Sequence, residues 1–241
     1  MLDPNFPNRL LESGYQRTIE FIHFLFEDYS KRGLSERTDR AVAISGLETR
    51  IANVLRSENR YGIFKDYLHR NLLWQRSDDQ KTKRIEYQTQ TVPSWSWMAY
   101  DGSIQFMDIP FGEADWNDNL RFDKKHKYAL FNKKGKHALI TDIGGFRNCS
   151  LEQKAILDSS KTKRGWIQYD IDGGEDLHSE RCVVVGRKSD EDDEDEHGLK
   201  NKEYYILVVR PTSRDGEYER AGVGLIQSDY VLRQRLNVRV I

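Results

Sequence analysis

The hydrophobic period of this chain changes at residue 92, and Pro93-Ser94-Trp95-Ser96-Trp97 stands at the change. Upstream, Leu11, Tyr15, Ile19, Ile22, Phe26 and Tyr29 recur at spacings of three and four, which predicts one amphipathic helix over 8–30. Ile44, Leu47, Ile51 and Leu55 predict a second helix over 38–56. Its small residues Ala41, Ser45 and Gly46 lead us to expect a closely passing backbone. A short third helix is expected over 67–74, then a polar loop over 75–91. Downstream the apolar residues alternate, with Asp101-Gly102, Gly144-Gly145, Asp172-Gly173-Gly174 and Asp215-Gly216 as turns. Strands are expected at 94–100, 103–107, 137–143, 153–158, 165–170, 181–187, 203–210 and 219–227. The fold class is therefore α+β: an N-terminal helical layer packed on a C-terminal antiparallel β-sandwich or open barrel. The helical part is set at 1–91 and the β-rich part at 92–241, with one shared core.

In an extended strand, Trp95 and Trp97 would point to one face. They would then act either as an aromatic platform for a sugar, base or peptide, or as a keystone where helices meet sheet. The keystone reading is favoured, because the helices offer two apolar stripes to meet the indoles. Asp39-Arg40 is the sharpest polar pair. Asp39 at a helix start can cap free amides, leaving Arg40 to reach a carboxylate or stack on an indole. A binding pocket built from Asp39, Arg40, Trp95 and Trp97 is the functional reading. A structural role is favoured for all four, since no nucleophile accompanies them.

These segments also carry a resemblance. The order Tyr29-Ser30, Leu34, Asp39-Arg40, Ala43, Ser45-Gly46, then Tyr61-Gly62, Leu72-Leu73-Trp74 and Pro93–Trp97 resembles the region downstream of the HET domain in fungal heterokaryon-incompatibility (HET) proteins. It covers roughly residues 15–105. Tyr204–Arg210 and Tyr218–Gly224 look like that family's closing strands. No segment resembles the TIR-like HET core. The resemblance implies an accessory, recognition or regulatory module in non-self recognition and programmed cell death. Its partners would be other proteins or an upstream HET domain, and it would not be catalytic. The alternatives are a ligand-binding β domain using the tryptophans, or a cryptic TIR-like enzyme cleaving NAD.

The remaining signals are mostly exclusions. Net charge is −1, yet Asp190–Glu196 is an unbroken acidic run. We expect it to be a solvated, flexible hairpin loop over 189–201; its spacing does not suit calcium. Basic clusters at 124–127 and 133–136 are small, and no basic stripe points to nucleic acid. Cys149 and Cys182 exclude a disulfide scaffold, and Cys182 reads as a buried apolar residue. No phosphate loop, nucleophile elbow or zinc-protease motif is present, so no cofactor, metal or catalytic residue is assigned. Gly222-Val223-Gly224 reads as a packing pair or bulge. His23 reads as a structural histidine. No apolar run could span a bilayer and no secretory leader is evident, so an intracellular, cytoplasmic protein is expected.

Overall fold

The computed structural model describes residues 6–77, 82–88, 91–123, 137–171, 177–189 and 202–241. The acidic run Asp190–Glu196, the basic clusters at 124–127 and 133–136 and the expected turn at 172–174 lie outside the described residues. The fold is α+β: a short helical region precedes a large, mostly antiparallel sheet.

The expected first helix is two: α1 (Arg9–Glu12) and α2 (Gly14–Ser30). The break falls at Ser13-Gly14, where Gly14 takes φ +77° and the Ser13 hydroxyl donates to the Arg9 carbonyl. Ile19, Ile22 and Phe26 of α2 are buried as the spacing requires, while Tyr15 sits at the rim, half-exposed. α3 (Arg40–Leu55) follows a 3-10 turn at Arg37–Asp39. It buries Ala41, Ile44 and Ile51, but Gly46 faces open solvent. Among the described residues no backbone passes close to Gly46, so that expectation is corrected. A small antiparallel pair, β1 (Asn59–Arg60) and β2 (Ile63–Phe64), leads to α4 (Leu68–Leu72).

The expected loop after residue 75 begins as a strand. β3 (Trp74–Arg76) pairs with β4 (Ile104–Phe106). The free edge of β4 is satisfied by α2, since Ile104 N donates to Ser30 Oγ (3.0 Å) and Phe106 N to Glu27 Oε1 (2.8 Å). Beyond it come β5 (Ala114–Trp116) and β6 (Arg121–Phe122), then β7 (Leu139–Phe146). β8 (Cys149–Glu152), β9 (Ala155–Asp158) and β10 (Lys163–Tyr169) form a meander. β11 (Arg181–Lys188), β12 (Glu203–Pro211), β13 (Glu217–Gln227) and β14 (Val231–Val240) complete the sheet.

Five strands form a circuit of pairings, β12-β11-β7-β14-β13 and back to β12, with β7 and β11 joined by a single register pair. The β13–β14 contact is parallel and the others antiparallel. The meander extends from β13 through β10. Gly222 and Gly224 permit that pairing: a Cβ there would lie 2.6 Å from the Gln168 carbonyl oxygen and 2.2 Å from that of Trp166. They are the packing pair the sequence suggested.

The alternation of β11 and β12 serves two cores. Val183, Val185, Leu207 and Val209 face the core that also holds Leu72, Leu73 and Trp95. Cys182, Ile206 and Val208 face the core closed by Ile156, Ile167 and Tyr169. A third core gathers Ile19, Ile22, Phe26, Ile44 and Ile51 with Trp97, Met98 and Tyr100. Helical residues thus enter the sheet core, and residues beyond 92 enter the helical one.

Candidate functional site

The block Pro93–Trp97 is not the start of a strand. Ser96 N donates back to Pro93 O (3.0 Å), closing a turn, and Trp97–Ala99 is a 3-10 turn capped by Ser96 Oγ, which accepts from Met98 N (3.0 Å). Same-face alternation holds only for extended backbone, so the two indoles diverge. Trp95 enters the sheet core, tilted against Phe122 (5.9 Å), with Nε1 donating to His137 O (2.8 Å). Trp97 enters the helical core against Phe26 (5.2 Å) and Tyr29 (6.1 Å). Both are 0% exposed, so neither presents a platform to solvent. The serines between them hold the joint. Ser94 N donates to Ile241 O (3.0 Å), and its Oγ also bonds that oxygen while accepting from Arg220 N (2.8 Å). Ser96 Oγ donates to Tyr61 O (2.8 Å).

Arg40 is buried, its guanidinium 5.1 Å from the Trp97 ring centroid and donating to Gly102 O (2.9 Å). It stacks on an indole as expected and bridges α3 to the turn before β4. Asp39 is exposed and its side chain makes no cap bond, which corrects the capping role. Asp39, Arg40, Trp95 and Trp97 therefore form no shared pocket: Arg40 meets Trp97 inside one core, and Trp95 lies in another.

A second polar joint was not legible in the sequence. Arg220 on β13 is fully buried and its guanidinium lies 3.6 Å from the Trp74 ring centroid. It donates to Asp170 Oδ2 (2.9 Å) and Oδ1 (3.0 Å), to Leu72 O (2.6 Å) and to Trp74 O (2.6 Å). Burial pushes the Asp170 carboxyl up, and the Arg220 charge opposes that push. Trp74 Nε1 donates to Trp95 O (3.0 Å), linking this joint to the first.

Other titratable groups are held in the interior. His23 is stacked on Phe106 (3.8 Å, 5°), and burial, then the nearby Arg70 charge, lowers its pKa to about 3. Burial pushes the Glu48 carboxyl up to about 8 and the Cys182 thiol up to about 12. Cys182 is the buried apolar residue expected.

The open polar surface lies elsewhere, where β7 and β11 part. They share a single register pair, Cys182 with Gly144. Beyond it β11 pairs with β5 and β7 with β6, and the β5–β6 turn fills the split. Asn117 fastens that turn to β11, donating from N to Val185 O (3.0 Å) and from Nδ2 to Val184 O (2.7 Å). Asn119 Nδ2 fastens it to β7 through Asp142 Oδ2 (2.9 Å). Trp116 anchors it, stacked on His69 (5.4 Å, 20°), whose Nε2 donates to Asn117 O (2.9 Å). Burial lowers the His69 pKa, opposed by the hydrogen bond to Asn117 O and the nearby Asp118 charge. Gly186 leaves room for the indole, since a Cβ there would come within 2.6 Å of it. The result is a cleft of about 1010 Å³ bordered by the turn, β7, β11 and β14. The run Ala114–Asn119, a tryptophan amid acids and amides, was the available sequence signal; the β14 residues gave none.

Among the described residues no group of three or more His, Cys, Asp and Glu side chains is placed to hold a metal ion, and no helix is long and apolar enough to cross a membrane. Comparison with family models, with curated proteins and with solved structures finds no match to this chain.

Proposed function

We propose that this chain is a non-catalytic module of the fungal heterokaryon-incompatibility type, acting as an accessory, recognition or regulatory region in non-self recognition and cell death. One observation carries the reading. Residues from several of the blocks that bear the sequence resemblance meet where the helical and sheet cores join, while Asp39, Ala43, Ser45 and Gly46 of the same blocks are exposed. Tyr29 donates to Arg40 O (2.8 Å) and packs on Trp97; Tyr61 O accepts from Ser96; Trp74 bonds Trp95; and Arg220 clasps Trp74. The aromatic residues of the resemblance thus build the scaffold, and the partner-facing chemistry falls to the surface around it. The intracellular, cytoplasmic location belongs to the same proposal. The aromatic-platform alternative loses support, because both indoles are enclosed.

The test is expression of the full chain in a filamentous fungus, alone and with a HET-domain protein. The proposal expects no cell death from the chain alone and an altered death response when the two are combined. Incubating the purified chain with NAD should release no nicotinamide above the buffer rate. Release that a point substitution abolishes would overturn the non-catalytic reading in favour of the NAD-cleaving one.

A further inference from the structure

The cleft where β7 and β11 part combines features of a built binding surface. The sheet splits there and is stitched by amide side chains rather than by ladder bonds. Across the cleft, the β14 register against β7 shifts between Gln234 and Asn237. Such a bulge re-aims side chains, and bulges gather beside binding sites. Residues 232–234 and 236–237 are all exposed, an unusual run for the interior of a strand. Among the described residues the side-chain amides of Gln234 and Asn237 have no hydrogen-bond partner, and both border the cleft.

The chemistry of the lining narrows the ligand. Asp115 is paired with Arg187, which leaves the carboxylates of Asp118 and Asp142 with the Arg233 cation in the lining, a small negative excess. Arg233 lies 4.6 Å from the Tyr204 ring centroid, which holds that cation at the wall. A polyanion needs a concentrated basic surface, which this cleft lacks. An apolar helix or acyl chain needs apolar walls, and Ile143 at the base is only 3% exposed. What remains is a dense set of planar amides and carboxylates, each offering donors or acceptors in fixed directions. That set complements vicinal hydroxyls, and the uncovered part of Trp116 offers apolar contact to ring C–H groups. The volume exceeds what a single small molecule needs and suits a chain of several rings.

We propose that this cleft binds a neutral polyhydroxylated ligand, an oligosaccharide, with Gln234, Asn237, Asn119 and Asp142 as the recognising groups. This goes beyond the module reading above and does not depend on it. The test is isothermal titration of the full chain with neutral hexasaccharides: β-1,4-glucan, β-1,3-glucan, α-1,4-glucan and β-1,4-linked N-acetylglucosamine, with heparin as the polyanion control. Saturable binding of at least one neutral hexasaccharide is expected. Gln234→Ala combined with Asn237→Ala should weaken it by about tenfold or more, the loss expected for one or two hydrogen bonds. Both side chains are exposed, so the thermal melt of the double variant should match wild type. Binding of none of the neutral hexasaccharides, of heparin alone, or with equal strength in the double variant would overturn the proposal.

Discussion

Glu48 shows how a single buried side chain can set a pH dependence. It is 5% exposed on α3, beside the Gly62 amide and the Asn59 side chain, and its Oε1 has no hydrogen-bond partner among the described residues. Burial holds its folded pKa near 8, above the ordinary value of 4.5. A raised carboxyl pKa contributes stability that is fully present below about pH 4.5 and is lost as pH rises to about 8. Glu48→Gln removes this titration. Its stability relative to wild type should therefore rise between pH 5 and 8, by on the order of 1–3 kcal/mol in urea melts. A difference independent of pH would show that Glu48 is ionised in the folded protein. The residue lay on the expected second helix with nothing in its spacing to single it out. Its burial depends on the Tyr61-Gly62 turn closing over it, a tertiary event that helical period cannot report. Trp95 and Trp97 were legible as keystones for the opposite reason, because large apolar side chains rarely stay in solvent. Their common face was misread because the serines between them bond into a turn.

At the scale of elements, the long alternating strands were the most readable. Those expected at 153–158, 165–170, 181–187, 203–210 and 219–227 appear within a few residues of β9 to β13. β14 escaped because its middle is polar on both faces, Arg233 and Gln234 interrupting the alternation that Val231, Val238 and Val240 begin. β3, β5 and β6 escaped because two or three residues carry no period. The β10–β13 pairing gives the sharpest test at this scale. Gly224→Ala would place a Cβ 2.2 Å from the Trp166 carbonyl oxygen, and backbone cannot yield as a side chain can. A loss of about 1–3 kcal/mol is expected, the usual cost of overpacking. Gly46→Ala, in open space on a helix, should instead gain up to about 1 kcal/mol. Equal effects in thermal melts would mean that β10 does not approach β13 as described.

For the whole molecule, the feature that matters is the joint between helical and sheet cores. Ser94 ties β13 to Ile241, Arg220 ties β13 to Asp170 and to the carbonyls around β3, and the two tryptophans fill one core each. Removing one partner of a buried ion pair strands the other charge. Asp170→Ala should therefore cost about 3–5 kcal/mol in a denaturant melt, whereas an exposed pair such as Arg32–Asp28 should cost less than about 1. The class of the fold and the place of the joint could be read from the change of period at residue 92. The clasp of Arg220 and Asp170 could not, since 50 residues separate them.

The joint should make one cooperative unit of the two parts, and urea unfolding of Trp97→Ala tests this most directly. The variant is made in a Cys149→Ser background, with helix followed at 222 nm and the sheet core by labelling of the buried Cys182 thiol. Trp97 lies in the helical core and Cys182 in a sheet core, so the two probes report opposite sides of the joint. Expected is a loss of about 3–5 kcal/mol with both transitions falling together. A helix signal lost at low urea while Cys182 stays protected, or a midpoint unchanged from wild type, would contradict it.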